Sequence, residues 1–430
     1  MEKHNVSYTV KNKLCAGCGI CEDVCPKHCI TIKLKNGELK PNIDESSCLG
    51  EKCGRCLKVC PGIGIEFNKI AQNFFKESTI KEDKYIGRHV ALHTGYSLDY
   101  DIRYHSASGG VVSQFLIFLL EKKIIDGAVV TGFSDDHITP MSYIARTKDD
   151  ITRSRSSKYC PVALNKIGNE ILKLEGKYVI VGLPCHIQGF RKRLAIDKKM
   201  SDKVIGLFSI YCSSSRNFFA RDYLLSHYRI NKEDISYFSF RDNGCLGNLT
   251  VEIKKRDQEK SRLVGTHSTD YTGLKIPYSQ YYGPMLRSFF KPHRCLMCID
   301  HYGELADVSF GDIHIKPFSD DHIGISSWIT RTEYWEQLFR QAVTEGCIKM
   351  DDVDADTLNQ SQKAMLYPKK RRARAVMNMD RFLGRANPKY DKRLDKPGIK
   401  DYFTEILCGI QQYIGKRKEL WFLIELINRK

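Results

Sequence analysis

Cys15-x-x-Cys18-x-x-Cys21-x-x-x-Cys25-Pro26 and Cys48-x4-Cys53-x-x-Cys56-x-x-x-Cys60-Pro61 place eight thiols within the first sixty residues. Thiolates at this spacing hold two 4Fe-4S clusters: a tight loop supplies three ligands to one cubane and the fourth comes from elsewhere. The pairing should therefore cross. One cluster takes Cys15, Cys18, Cys21 and Cys60, and the other Cys48, Cys53, Cys56 and Cys25. Pro26 and Pro61 keep the chain extended as it leaves each site, and Gly17, Gly19, Gly50 and Gly54 let backbone N–H groups approach sulfur. A pair of zinc knuckles is the rival reading of Cys-x-x-Cys pairs, but zinc has no use for the fourth Cys-Pro of each run. The second run is lengthened by four residues between Cys48 and Cys53, a link that still closes. Cys29 reads as a packed thiol.

Beyond these runs, residues 1–66 are expected to form a small bacterial-type ferredoxin domain at the head of an α+β or α/β chain. Residues 67–87 read as a linker with helical patches, 88–345 as a mixed α/β domain, and 346–430 as a basic, helical or partly disordered C-terminal extension. Short apolar runs at Ile125–Val130, Tyr178–Val181, Val204–Ile210 and Leu305–Phe310 suggest strands covered on both faces. At 430 residues the chain is too long for one core. Seventeen cysteines could suggest a secreted disulfide protein, but the length, the cluster spacing and the missing signal peptide argue for a reducing interior, so the expected location is cytoplasmic. The longest apolar run is interrupted by Ser113 and Gln114 and is too short to cross a bilayer.

The formal net charge is +17, part of which bound clusters and a bound flavin would offset. Much of the excess lies from Lys369-Lys370-Arg371-Arg372 to Lys396. A solvated, partly disordered tail is the plain reading of that stretch. The functional one is docking on an acidic redox partner or at the periphery of an anionic membrane. Nucleic acid is not favoured, because no aromatics are interleaved. The end of the chain, Tyr413 to Ile427, reads as an apolar helix after a basic patch, packed on its own domain in preference to a partner or a membrane.

Four more cysteines are informatively placed. Cys185 and Cys212 each follow an expected strand, and Cys295-x-x-Cys298 precedes another. If the strands are parallel neighbours, these thiols meet at the carboxyl edge of a sheet, where α/β folds keep ligands, and a third 4Fe-4S site is conceivable. Buried apolar packing is the alternative. Cys160, Cys245, Cys347 and Cys408 have no partner pattern. Ser106-Ala107-Ser108-Gly109-Gly110 leads into an apolar helix, and helix starts of this kind suit phosphate as well as plain capping. Arg153 to Tyr159, including Lys158, adds cations and hydroxyls suited to a diphosphate, or simply a solvated loop.

Together, Ser106 to Val112, Ile125 to Val130, Ser157 to Pro161, Val181-Gly182-Leu183-Pro184-Cys185-His186-Ile187-Gln188-Gly189, Cys295-x-x-Cys298-x-Asp300 and Glu304 to Asp312 resemble the family of coenzyme F-420 hydrogenase/dehydrogenase beta subunits over roughly residues 88 to 330. The resemblance implies FAD in the main domain, a nearby 4Fe-4S cluster and a deazaflavin as hydride-carrying partner. It implies Cys185, Cys212, Cys295 and Cys298 as cluster ligands, and Ser106, Ser108, Gly109, Gly110, Lys158 and Tyr159 as flavin contacts.

The expected activity is an iron-sulfur flavoprotein oxidoreductase that passes electrons between that two-electron carrier and one-electron acceptors such as a ferredoxin or redox partner protein. The alternatives are a ferredoxin-fed FAD reductase of an organic substrate, as in the chlorophyll-type reductases, and a non-catalytic electron-transfer subunit. No general base is required, and His186, His293, His301 and His314 read as structural histidines.

Overall fold

The computed structural model describes residues 4–77, 79–254, 273–286 and 288–428. Its first hairpin joins β1 (Ile30–Lys35) to antiparallel β2 (Glu38–Ile43). The turn is Asn36-Gly37, with φ of 50° and 72°, the left-handed pair that matches the twist of a two-residue hairpin. β3 (Gly64–Ile65) ends the thiol-rich module. The expected linker is itself structured: it holds the helix Phe67–Phe74 and a hairpin of β4 (Lys81–Asp83) and β5 (Gly87–His89).

The main sheet begins with β6 (Ala91–Ser97), β7 (Gly127–Phe133), β8 (Pro140–Ala145), β9 (Tyr178–Gly182) and β10 (Val204–Ile210). A separate antiparallel sheet of β11 (Ile235–Asp242), β12 (Asn248–Ile253) and β13 (Gly273–Pro277) follows. β14 (Val308–Asp312), β15 (Ser326–Thr330) and β16 (Ile348–Asp352) then complete the large sheet in the order β16-β6-β15-β14-β10-β9-β7-β8. Its centre, β14-β10-β9-β7, is parallel. The carboxyl ends of β9 and β10 therefore lie side by side, as the positions of Cys185 and Cys212 require.

Strands covered on both faces need apolar residues at consecutive positions, and Tyr178, Val179 and Ile180 of β9 are all fully buried. One face packs under helices Val111–Glu121 and Glu333–Thr344, whose Phe115 and Phe339 rings stack with centroids 3.7 Å apart. The other packs under helix Pro184–Leu194, where Ile187 and Phe190 join Ile20, Val24 and Val59 of the thiol-rich module in one core. That interface also contains a buried ion pair: Arg193 donates to Asp23 at 2.5 Å, their side chains 2% and 0% exposed. The same carboxylate accepts N–H bonds from Gly168 at 2.7 Å and Asn169 at 2.9 Å.

The main sheet runs past residue 345, because β16 pairs antiparallel with β6. The basic stretch is not a solvated tail: Lys369 and Lys370 are buried, and Glu304 is paired with Lys370 at 2.9 Å and with Lys392. Burial opposes the charge on Glu304, yet those two ammonium groups hold its carboxyl below the usual range. Further on, β17 (Lys389–Tyr390) pairs in parallel with β3, tying the end of the chain to its beginning. The expected apolar helix over Tyr413–Ile427 is broken: one helix is Ile399–Gly415 and the next Phe422–Asn428, with Trp421 and Ile424 buried between and within them.

Candidate redox site

Two cavities open inside the N-terminal module. Cys15, Cys18, Cys21 and Cys60 line one, and Cys25, Cys48, Cys53 and Cys56 line the other, which is the crossed grouping that the spacing predicts. Gly19 and Gly54, with φ of 84° and 60°, start the short helices Ile20–Asp23 and Arg55–Lys58 that turn the central thiols inward. The Gly17 N–H donates to Cys15 Sγ at 3.4 Å and the Gly62 N–H to Cys60 Sγ at 3.3 Å. Such donors stabilise sulfur that carries charge, so this lining fits a cluster.

Burial pushes the Cys18 thiol up to about 12 and Cys56 up to about 11. Bare thiolates are thus disfavoured here, and bound iron would supply the positive charge that ionises them. Cys29 is packed as expected, buried in an apolar cluster with Val6 and Ile30, and it also lines the second cavity, its Sγ 3.3 Å from that of Cys25. Nothing in its spacing signals this.

A third cavity is lined by Cys185, Cys212, Cys295 and Cys298, and also by Cys15 of the first. Cys185 is the second residue of helix Pro184–Leu194, immediately past β9. Cys212 lies two residues past β10, its N–H held by the His301 carbonyl at 2.9 Å. Cys295 sits in the short helix His293–Leu296, and Asp300 anchors the following loop by accepting from Gln188 at 2.9 Å and from the N–H of Gly303 at 2.8 Å. Burial pushes Cys212 up to about 12 and Cys185 well above its ordinary value. Among the described residues no group of three or more His, Cys, Asp or Glu is spaced for a single metal ion; the thiols ring cavities.

Lys369, from the run read as solvated, lies at this third site. Burial works against its charge, but the sulfurs of Cys298, Cys212 and Cys295 more than offset that and hold the ammonium above its usual value. A fixed cation stabilises the more negative, reduced state of a cluster. Lys369→Met should therefore lower the midpoint potential of a centre bound there by some tens of millivolts, on the order of one decade in equilibrium. An EPR-monitored redox titration reads this directly. Other cations frame the first site: Lys40 donates to the Cys15 carbonyl at 3.3 Å, Lys192 to the Cys60 carbonyl at 3.1 Å and Arg294 to the Pro61 carbonyl at 3.1 Å.

The six expected flavin contacts divide. The Ser106 hydroxyl donates to the Ile102 carbonyl at 2.6 Å and so closes the preceding turn. Ser108 donates to the Ile325 carbonyl at 2.8 Å, and Gly109 packs so closely that a Cβ would come within 2.6 Å of the Gly95 oxygen. Gly110, at φ 75°, opens helix Val111–Glu121. Lys158 donates to the carbonyls of Ser154, Arg155 and Ser156 at 2.5–3.1 Å, and burial, with Arg155 beside it, brings its pKa down to about 7. Tyr159 lies against Tyr282 and Phe240.

Arg241, missed in the sequence, pairs with Asp312 at 2.7 Å beneath the Tyr278 ring. Asp312 ends β14 and pairs in register with Ser326 at the start of β15, so this group shares its sheet edge with Cys185 and Cys212. Its cations, hydroxyl and phenol rings are chemistry that suits a flavin and its diphosphate.

The four histidines all have partners. Leu183 N–H donates to Nδ1 of His186 at 3.1 Å while Nε2 meets the Val162 carbonyl at 3.0 Å, and burial drops its pKa to about 4. His301 meets Gln362, His293 meets Asp380, and His314 lies 3.6 Å from Asp312.

The sequence profile for the coenzyme F-420 hydrogenase/dehydrogenase beta subunit N-terminus matches residues 92–167, and the one for its C terminus matches 175–356. A 4Fe-4S dicluster profile matches 14–62. A coenzyme F-420-dependent sulfite reductase of Methanocaldococcus jannaschii is 27% identical over 373 residues, 82% of this chain, which spans 50% of that protein's length. The coenzyme F-420 hydrogenase subunit beta of Methanothermobacter thermautotrophicus is 27% identical over 63% of the chain and 86% of its own length. One subunit of the F-420H2 dehydrogenase of Methanosarcina mazei is 23% identical over 78% and 84%. A chain of the F-420-reducing NiFe hydrogenase complex of Methanosarcina barkeri superposes with a TM-score of 0.53 at 20% identity, covering 72% of this chain and 98% of that one, a likeness of fold.

Proposed function

The chain belongs to the family of coenzyme F-420 hydrogenase/dehydrogenase beta subunits, and on that footing we propose that it moves electrons between a deazaflavin-type hydride carrier and a one-electron partner protein, through FAD and three 4Fe-4S clusters. At the coarser level it is an F-420-related iron-sulfur oxidoreductase or electron-transfer subunit with a 4Fe-4S dicluster domain.

The observation that carries the finer reading is contiguity. Cys15 lines both the first and the third cavity, and Cys21 and Cys56 bring the first and second together in one apolar cluster. The thiol sites thus form a row from the sheet edge to the far side of the N-terminal module.

FAD, when bound, would supply the exchange between hydride and single electrons. Ser108, Gly110, Lys158 and Tyr159, together with Arg241, would hold it at the edge where Cys185 and Cys212 lie. Lys369, Lys40 and the N–H groups of Gly17 and Gly62 would set potentials, and burial of the lining excludes water. A reducing cytoplasm suits such thiols.

Anaerobically purified protein should contain about twelve irons, as much labile sulfide and one FAD per chain. Eight irons would remove the third centre, and absence of flavin would sink the proposed exchange. Assays with reduced deazaflavin, nicotinamide and reduced ferredoxin separate outward flow from the ferredoxin-fed alternative.

A further inference from the structure

The helix Ile399–Gly415 is built inside out. Its inward side carries three polar residues beside the buried Cys408 and Ile414: Asp401 accepts from Arg371 at 2.8 Å and from Tyr367 at 2.7 Å, Glu405 pairs with Arg372, and Gln412 donates to the Lys291 carbonyl at 2.8 Å. Its outward positions are apolar. Ile399, Phe403, Ile406, Leu407, Ile410 and Tyr413 are each between 51% and 76% exposed, at the spacing of one helical face. The adjoining end of helix Ala373–Phe382 adds Phe382, 90% exposed, and Leu383. A contiguous exposed strip of this kind marks an interaction site.

Charge identifies what covers it. The two carboxylates of the helix, Asp401 and Glu405, are both turned inward onto arginines, so none remains on the outer face. Exposed cations stand at both ends instead: Arg381, Lys396 and Lys400 at one, Arg417 and Lys418 at the other, where Lys416 is paired with Glu38 at 2.9 Å and Glu419 is the one exposed acid beside them. An apolar strip flanked by lysine and arginine matches the boundary between acyl chains and anionic headgroups. Among the described residues no helix is long and apolar enough to cross a membrane, so this one would lie in the surface.

We propose that the outer face of helix Ile399–Gly415 docks the protein peripherally on an anionic lipid bilayer. This is independent of the redox reading, since it invokes no cofactor. The test is co-sedimentation of the full-length holoprotein with vesicles of pure phosphatidylcholine and of phosphatidylcholine with phosphatidylglycerol, at low and high salt. The anionic vesicles should pull down at least tenfold more protein at low salt, and Phe403→Glu with Ile410→Glu should abolish the difference while iron content and thermal midpoint stay at wild-type values. Wild-type protein remaining in the supernatant with both vesicles overturns the proposal, as does a double variant that sediments like wild type. A dimer in solution that the double variant disperses would also overturn it, by assigning the face to a second copy.

Discussion

On the proposed route through FAD and three clusters, replacing Cys295 and Cys298 together by serine should leave about eight irons per chain instead of about twelve, and hydride-reduced flavin should no longer bleach the remaining clusters on the assay timescale. Of the four thiols assigned to the third centre only Cys185 and Cys212 would then remain, since the other cysteine lining that cavity, Cys15, belongs to the first site, and two ligands are too few to retain a cubane. The row of sites is cut between the sheet edge and Cys15, while the two N-terminal cavities keep all eight thiols. The measurement pairs iron analysis with rapid-mixing absorbance, in which flavin and cluster bands are read separately. Undiminished iron would show that these thiols hold none. Lost iron with unaltered transfer would show that the third centre lies off the route.

The second large effect concerns stability. Asp23→Ala takes from the Arg193 guanidinium, 2% exposed, its 2.5 Å counter-charge and leaves it only the more distant Asp197, 3.7 Å from Nε, and a buried pair broken on one side costs about 3–5 kcal/mol. The N–H groups of Gly168 and Asn169 lose their acceptor as well. Denaturant unfolding followed by both cluster absorbance and tryptophan fluorescence should shift to lower midpoint. Adding Arg193→Met should recover a large part of the loss, because the orphaned charge is then gone. An unshifted midpoint for Asp23→Ala would show that solvent reaches Arg193 after all.

Local pattern made much of this architecture legible. The run Val204–Ile210 is β10 residue for residue, and Tyr178–Val181 falls short of β9 by one. Those are central parallel strands, where burial on both faces writes a continuous apolar run. β16, Ile348–Asp352, was not legible: at the sheet edge three of its five residues are exposed, and its sequence looks like any charged surface segment. The cysteines could be grouped because ligand spacing is local for three of every four.

The role of Lys369 and Lys370 was hidden for the opposite reason. Four consecutive cations suggest solvation, and what buries two of them is the Glu304 carboxylate and the sulfur of Cys298, both remote in the chain. Glu304 was visible within a motif, but its partners were not. The outward apolar face of Ile399–Gly415 escaped because amphipathic periodicity reports that a helix has two faces, not which of them meets its own protein.

The parallel pairing of β3 with β17 makes the thiol-rich module depend on residues remote in the chain. The hairpin of β1 and β2 needs only its immediate neighbours, whereas the seam between Gly64 and Lys389 can close only after the intervening sheet domain has folded, so the module can begin to form before the contact that clamps it.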